Sequence, residues 1–185
     1  MEEPTICTYE LDDDARIICV DAGWSVFAEA NGAPELVPPR GPLGQSALSC
    51  VADRTSALLY ARLLERVLQT QTSIAFPIRC DAPARRRYLN LTIEPRTPTG
   101  LRIQTTLVRT EERPPVALLD RDRPDGDGLL KMCGWCKSAQ VAGRWCEVED
   151  AIAEMRLFER DLPPQVTHGI CPRCNERVLR ELDLA

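Results

Sequence analysis

Along residues 53–71, "DRTSALLYARLLERVLQTQ", apolar positions recur every three or four residues. Tyr60, Leu63, Leu64, Val67 and Leu68 fall on one face and Arg62, Glu65, Arg66 and Gln69 on the other, so the spacing predicts an amphipathic helix. Asp53 offers a side-chain oxygen as its N-cap. The period then changes to two. Ile74, Phe76, Ile78 and Cys80, then Leu89, Leu91 and Ile93, then Leu101, Ile103, Thr105 and Leu107 each form one apolar face, and "TPTG" at 97–100 turns the second run into the third. An antiparallel meander is predicted. Pro77 has no N–H to give a ladder, which assigns the first run to an edge or a bulge. Upstream, the compact β-branched "RIICV" at Arg16–Val20 predicts a buried strand, and "GWSVFAEANG" a turn into a short helical segment.

Composition shifts at "EERPPVALLDRDRPDGDG", where Pro, Asp and Gly cluster. The expected organisation is a body over residues 7–112, a linker over 113–128 and a tail over 129–185 that holds five of the nine cysteines. The predicted class is α+β, an antiparallel sheet with flanking helices followed by a small cysteine module.

A strand, short helices, one long helix and a three-stranded meander is the element order of a PAS domain. The stretches "ICVDAGWSVFAEANG", "GPLGQSALSCVAD", "FPIRCDAPARRRYLNLTI" and "LVRTEER" resemble a PAS-like sensory family of bacteria, over residues 7 to about 112. The resemblance implies helices and a concave sheet face that enclose a small-molecule or cofactor pocket, or form a dimer surface. Trp24, Phe27, Phe76 and Cys80 are the candidate pocket or interface residues. The Asn-Cys-Arg-Phe signature of flavin-binding light sensors is absent, since Cys80 sits in "IRCDAP". A haem held by a pocket histidine is not expected, because His168, the one histidine, falls outside the body. Cys19, Cys50 and Cys80 are read as small apolar core filler.

In the tail, "MCGWCK" supplies Cys133 and Cys136, and "THGICPRC" supplies Cys171 and Cys174. Two residues between cysteines let the backbone fold as a knuckle that points both sulfurs at one centre, and two knuckles make a tetrahedral four-thiolate site. Zinc suits soft thiolates in a closed site, and binding would contribute on the order of 10 kcal/mol to a tail too small to hold itself together. The expected cofactor is therefore one structural zinc per chain. A thiol/disulfide or iron–sulfur switch is the alternative, and a haem held through Cys171–Pro172 a further one. The 34 residues between the knuckles require a folded insert, and Val148, Ile152, Met155 and Phe158 outline a helical stripe there. His168 is placed beside the metal or in the turn, with direct ligation as its alternative, and Cys146 is a spare thiol near the site. A Cys171/His168 nucleophilic pair would need a catalytic thiol inside a metal pattern and has no third orienting group, so no enzyme is expected.

The tail also resembles a cysteine module found after PAS domains in some bacterial signalling proteins. Cys133, Cys136, Lys137, Gly143, Trp145, Thr167, His168, Gly169, Ile170, Cys171, Pro172 and Cys174 carry the match. The resemblance brings no activity with it.

Charge narrows the partners. A net charge of −5, and eight Lys/Arg against nine Asp/Glu over residues 128–185, give no basic face for nucleic acid or anionic membrane. The basic run Arg85–Arg87 is read as solvated loop charge. No apolar run approaches the ~20 residues of a membrane span, and the opening "MEEPTICTYE" lacks the features of a signal peptide, so a cytoplasmic location is expected. Kinase, cyclic-dinucleotide and helix-turn-helix signatures are absent. A sensory or regulatory protein that acts through a protein partner, with a homodimer as one form of that contact, is the reading these features leave.

Overall fold

The computed structural model describes residues 4–51, 53–120, 122–124, 126–157 and 162–183. Among the described residues, two sheets and four α-helices form an α+β architecture. The first sheet is antiparallel, in the order β2-β1-β5-β4-β3, and consists of β1 (Thr5–Leu11), β2 (Ile17–Val20), β3 (Ile74–Arg79), β4 (Arg85–Pro95) and β5 (Leu101–Glu112). Strands β3, β4 and β5 are the expected meander, and β3 is an edge strand, as Pro77 requires. Helix α1 (Ala22–Ala30) starts where the Asp21 carboxylate accepts from the Trp24 amide.

Helix α2 (Arg54–Thr70) lies against the inner face of this sheet. Asp53 caps it through the Ser56 amide, and Gln71 ends it in the left-handed region at φ 52°. Leu59, Leu63, Leu64 and Val67 are buried, each contributing about 1.5–3 kcal/mol of apolar burial, and they pack with Leu11, Phe76, Leu91, Ile93, Leu101 and Ile103.

"RIICV" forms the outer edge strand rather than a buried one, with Ile18 and Cys19 exposed. Its neighbour β1 was not predicted. Cys50 is exposed and Cys80 half-buried, so neither they nor Cys19 fill the core. Arg85–Arg87 opens β4 instead of a loop, and its charges are engaged. Arg85 pairs with Glu112 at 2.9 Å, Arg86 with Glu149 at 2.7 Å, and Arg87 donates to Asn31 at 2.9 Å.

The second sheet has the order β8-β7-β6-β9, built from β6 (Gly126–Cys133), β7 (Ala139–Val141), β8 (Arg144–Cys146) and β9 (Pro164–Gly169). Strands β6 and β9 are parallel and need a crossover, which carries α3 (Val148–Glu154). The insert helix thus exists but is short. Val148 and Ile152 are buried, Met155 packs beside them, and Phe158 lies outside the described residues. Within 113–128, Val116 and Leu118 are buried in the same small core as Val148 and Ile152. Helix α4 (Pro172–Glu181) follows β9, and Val178 and Leu182 reach the core of the first sheet.

Candidate metal centre

The parallel pairing of β6 and β9 explains how two distant cysteine pairs meet. Cys133, the last residue of β6, lies opposite Gly169, the last of β9. Both strands therefore end on the same side, and each continues into a Cys-x-x-Cys knuckle. The first knuckle is closed by the Cys133 amide donating to Ser138 O at 2.8 Å and the Lys137 amide donating to Cys133 O at 3.0 Å, with Lys137 left-handed at φ 62°. The second is the start of α4, where Cys171 is the N-cap and Pro172 the first helical residue. The Gly134 amide donates to Gly169 O at 2.9 Å, joining the knuckles through their backbones.

The Sγ atoms of Cys133, Cys136, Cys171 and Cys174 lie within 4.8 Å of one another, and the residues are only 0–8% exposed. Cys136 and Cys171 are 3.7 Å apart at sulfur. A tetrahedral zinc site with bonds of about 2.3 Å sets its sulfurs about 3.8 Å apart, so the cluster is close to the size that a four-thiolate metal requires. Amides already serve the sulfurs. Cys171 N donates to Cys133 Sγ and Cys174 N to Cys171 Sγ, both at 3.4 Å, and Ser138 Oγ is 3.2 Å from Cys136 Sγ. Hydrogen bonds from the Cys133 thiol, then the Cys174 thiol, drive Cys136 far below the usual thiol range. The same sharing, first with Cys133, holds the proton on Cys174, while burial pushes Cys171 up to about 11. Four sulfurs this close cannot all ionise without a cation among them, so the group could hold a metal ion.

His168 is not a member of the four-sulfur group. Its strand position is opposite Met132, and it is half-buried beside Lys137 and Asp53, lining a cavity that reaches the body. Burial, then the Lys137 ammonium, holds its imidazole below its ordinary value. His168 lies outside residues 7–112, as read from the sequence, yet it shares this cavity with residues of that stretch. Cys146 ends β8, and its Sγ faces Ala139 O at 3.7 Å, away from the cluster.

The four body candidates divide. Trp24, Phe27 and Cys80 line an apolar cavity of about 290 Å³ between α1 and the sheet. Trp24 donates to Leu36 O at 2.9 Å, and Arg87 stacks over Phe27 at 5.2 Å. Phe76 is 1% exposed and belongs to the core, where it meets Trp135 at 5.0 Å. Trp135 and Ser138 escaped the sequence reading. Trp135, inside the first knuckle, stacks on Tyr60 at 4.6 Å and donates to Ser56 Oγ at 3.3 Å. An aromatic residue between paired cysteines was the available signal, but its partners lie about 60–80 residues away.

No protein-family model matches the chain, and no curated protein does. Among solved structures, the chain is similar to a domain of an HTR-like protein from Haloarcula marismortui ATCC 43049. The likeness has 17% identity and a TM-score of 0.35, covering 56% of this chain and 97% of that one.

Proposed function

We propose that the chain is a non-enzymatic sensory or regulatory protein of bacterial type, in which a PAS-like body is joined to a zinc-held knuckle and the output is contact with another protein. The observation that carries this reading is the seat of Trp135. This residue, the second of the two between Cys133 and Cys136, is buried in the core of the first sheet, so the state of the four sulfurs is linked by packing to the body. The PAS-like reading is supported by α2 covering one face of a sheet that contains the antiparallel meander. Zinc is favoured by four buried thiols of the right spacing with amide donors. Against a Cys171 nucleophile stand its raised pKa and a histidine that makes no hydrogen bond to it among the described residues.

A redox- or haem-responsive sensor is the second reading, and the place of His168 on a cavity wall is the observation that favours it. Native mass spectrometry, metal analysis and a visible spectrum of the aerobically purified chain separate the two. A colourless protein that releases one zinc per chain on denaturation is the expected result. A Soret band, or charge-transfer absorption in the visible, sinks the zinc reading. The native mass also shows whether the chain pairs with itself. The absence of catalysis has its own check, since a hyper-reactive Cys171 in the metal-loaded protein would contradict it. All four paired cysteines should resist alkylation until a chelator is added.

A further inference from the structure

A cavity of about 400 Å³ lies between the inner face of the first sheet, the start of α2 and the first knuckle. Leu91, Ile93 and Ile103 form its apolar floor, and Trp135, Lys137 and His168 wall it from the tail. Its volume is that of a small-molecule site.

Three of the polar groups that line it carry donors without a partner among the described residues. The hydroxyls of Tyr9 and Tyr60 and the ring of His168 make no hydrogen bond among the described residues. Burial raises both phenols well above their ordinary range, so they remain O–H donors at neutral pH. Lys137 Nζ donates to Gly134 O at 3.1 Å, which leaves two of its three ammonium protons for another acceptor. The lining also contains the Asp53 carboxylate, whose Oδ1 accepts from Ser56 N at 2.9 Å at the start of α2 and whose charge acts on His168 with the sign opposite to that of Lys137. An occupant that satisfied the two hydroxyls and the two remaining ammonium protons would bring an acceptor, and a charged acceptor makes the stronger hydrogen bonds to them.

We propose that this cavity binds an apolar carboxylate, its hydrocarbon on Leu91, Ile93 and Ile103 and its carboxylate on Lys137 and the two tyrosine hydroxyls. Because Lys137 directly follows Cys136 and the Trp135 ring forms part of the wall, the ligand and the metal share a structural element. Each therefore raises the affinity of the other by the same factor. This coupling rests on the proposed metal site, whereas ligand binding itself does not.

Calorimetric titration of the full-length, metal-loaded chain with decanoate, and with decan-1-ol as the neutral counterpart, tests the proposal. One decanoate per chain is expected. Lys137→Gln should weaken decanoate at least tenfold and leave decan-1-ol unchanged, and Leu48→Trp, at the partly buried rim, should block both. Circular dichroism and metal content confirm that each variant is folded and loaded. A folded, loaded chain that shows no saturable decanoate binding overturns the proposal, as does an unchanged affinity in both variants. Chelation should weaken decanoate at least tenfold, and equal affinity before and after refutes the coupling. A chain purified without metal would defeat the zinc reading while leaving the decanoate titration to decide this one.

Discussion

Trp135 makes contacts on which both halves of the chain depend. Its ring is 4% exposed, stacked on Tyr60 and tilted against Phe76, with its indole N–H on Ser56. Trp135→Ala is expected to cost about 3–5 kcal/mol in urea unfolding, whereas Trp135→Phe should keep the stacking and lose about 1 kcal/mol with the hydrogen bond. An alanine variant as stable as the parent would show that the ring is not needed by the core. Ser138 acts on the sulfurs instead. Its hydroxyl lies beside Cys136 Sγ, and Ser138→Ala should lower metal affinity about 10–100-fold in competition with a chelator, leaving the apo chain equally stable. The ligands were legible at this scale because Cys-x-x-Cys is a local pattern. Trp135 and His168 take their roles from residues distant in sequence, on α2, β3 and the cavity wall, so the local pattern names them without placing them, whereas Ser138 lies only two residues from Cys136 and carries no pattern of its own.

Between elements, one buried tie is ionic. Arg79 of β3 pairs with Asp81 and, at 2.8 Å, with Glu147, which precedes α3, and Arg113 after β5 reaches Asp81 at 3.4 Å and Glu149 at 3.1 Å. The Asp81 side chain has no exposure, and those of Arg79 and Arg113 have 7% and 5%, so solvent screens these charges little. Asp81→Asn would leave Arg79 with Glu147 and Arg113 with Glu149 as their remaining counter-charges, at an expected cost of about 1–3 kcal/mol that 0.5 M salt does not remove. A loss under 1 kcal/mol, or one abolished by salt, would show the pairs to be ordinary surface contacts. Helix α2 and strands β3–β5 were legible because each has a single apolar face of fixed period. Strand β1 was not, since Thr5–Leu11 gains its place only from partners near residues 17–20 and 101–106. The β6–β9 pair is hidden for a stronger reason. Parallel register is set by long-range closure, and neither strand alternates cleanly.

For the molecule as a whole, the decisive fact is that one core contains both the sheet residues and the four cysteines. Cys133, Cys136, Cys171, Cys174, Val178 and Leu182 pack in the same cluster as Leu63, Phe76 and Ile103. Arg79 N donates to Trp135 O at 2.7 Å, and Arg66 of α2 pairs with Asp183 at 2.6 Å after α4, so backbone and surface contacts follow the same join. A body that folded alone would leave Tyr60 and Phe76 facing the seat of Trp135, giving up about 3 kcal/mol or more. For a chain of this length 1 kcal/mol shifts the melting temperature by about 2–4 °C, so losing the knuckle should lower the melting of the body by about 6–12 °C. Scanning calorimetry of the metal-loaded chain is therefore expected to give one transition, and chelation or Cys174→Ser to move it down by at least that amount. Two transitions in the loaded chain, with the upper one indifferent to chelator, would instead establish that the body ending near residue 112 is an independent unit. The same scan run by near-ultraviolet circular dichroism follows the tryptophans directly, and their signal should vanish with the heat absorption and not before it.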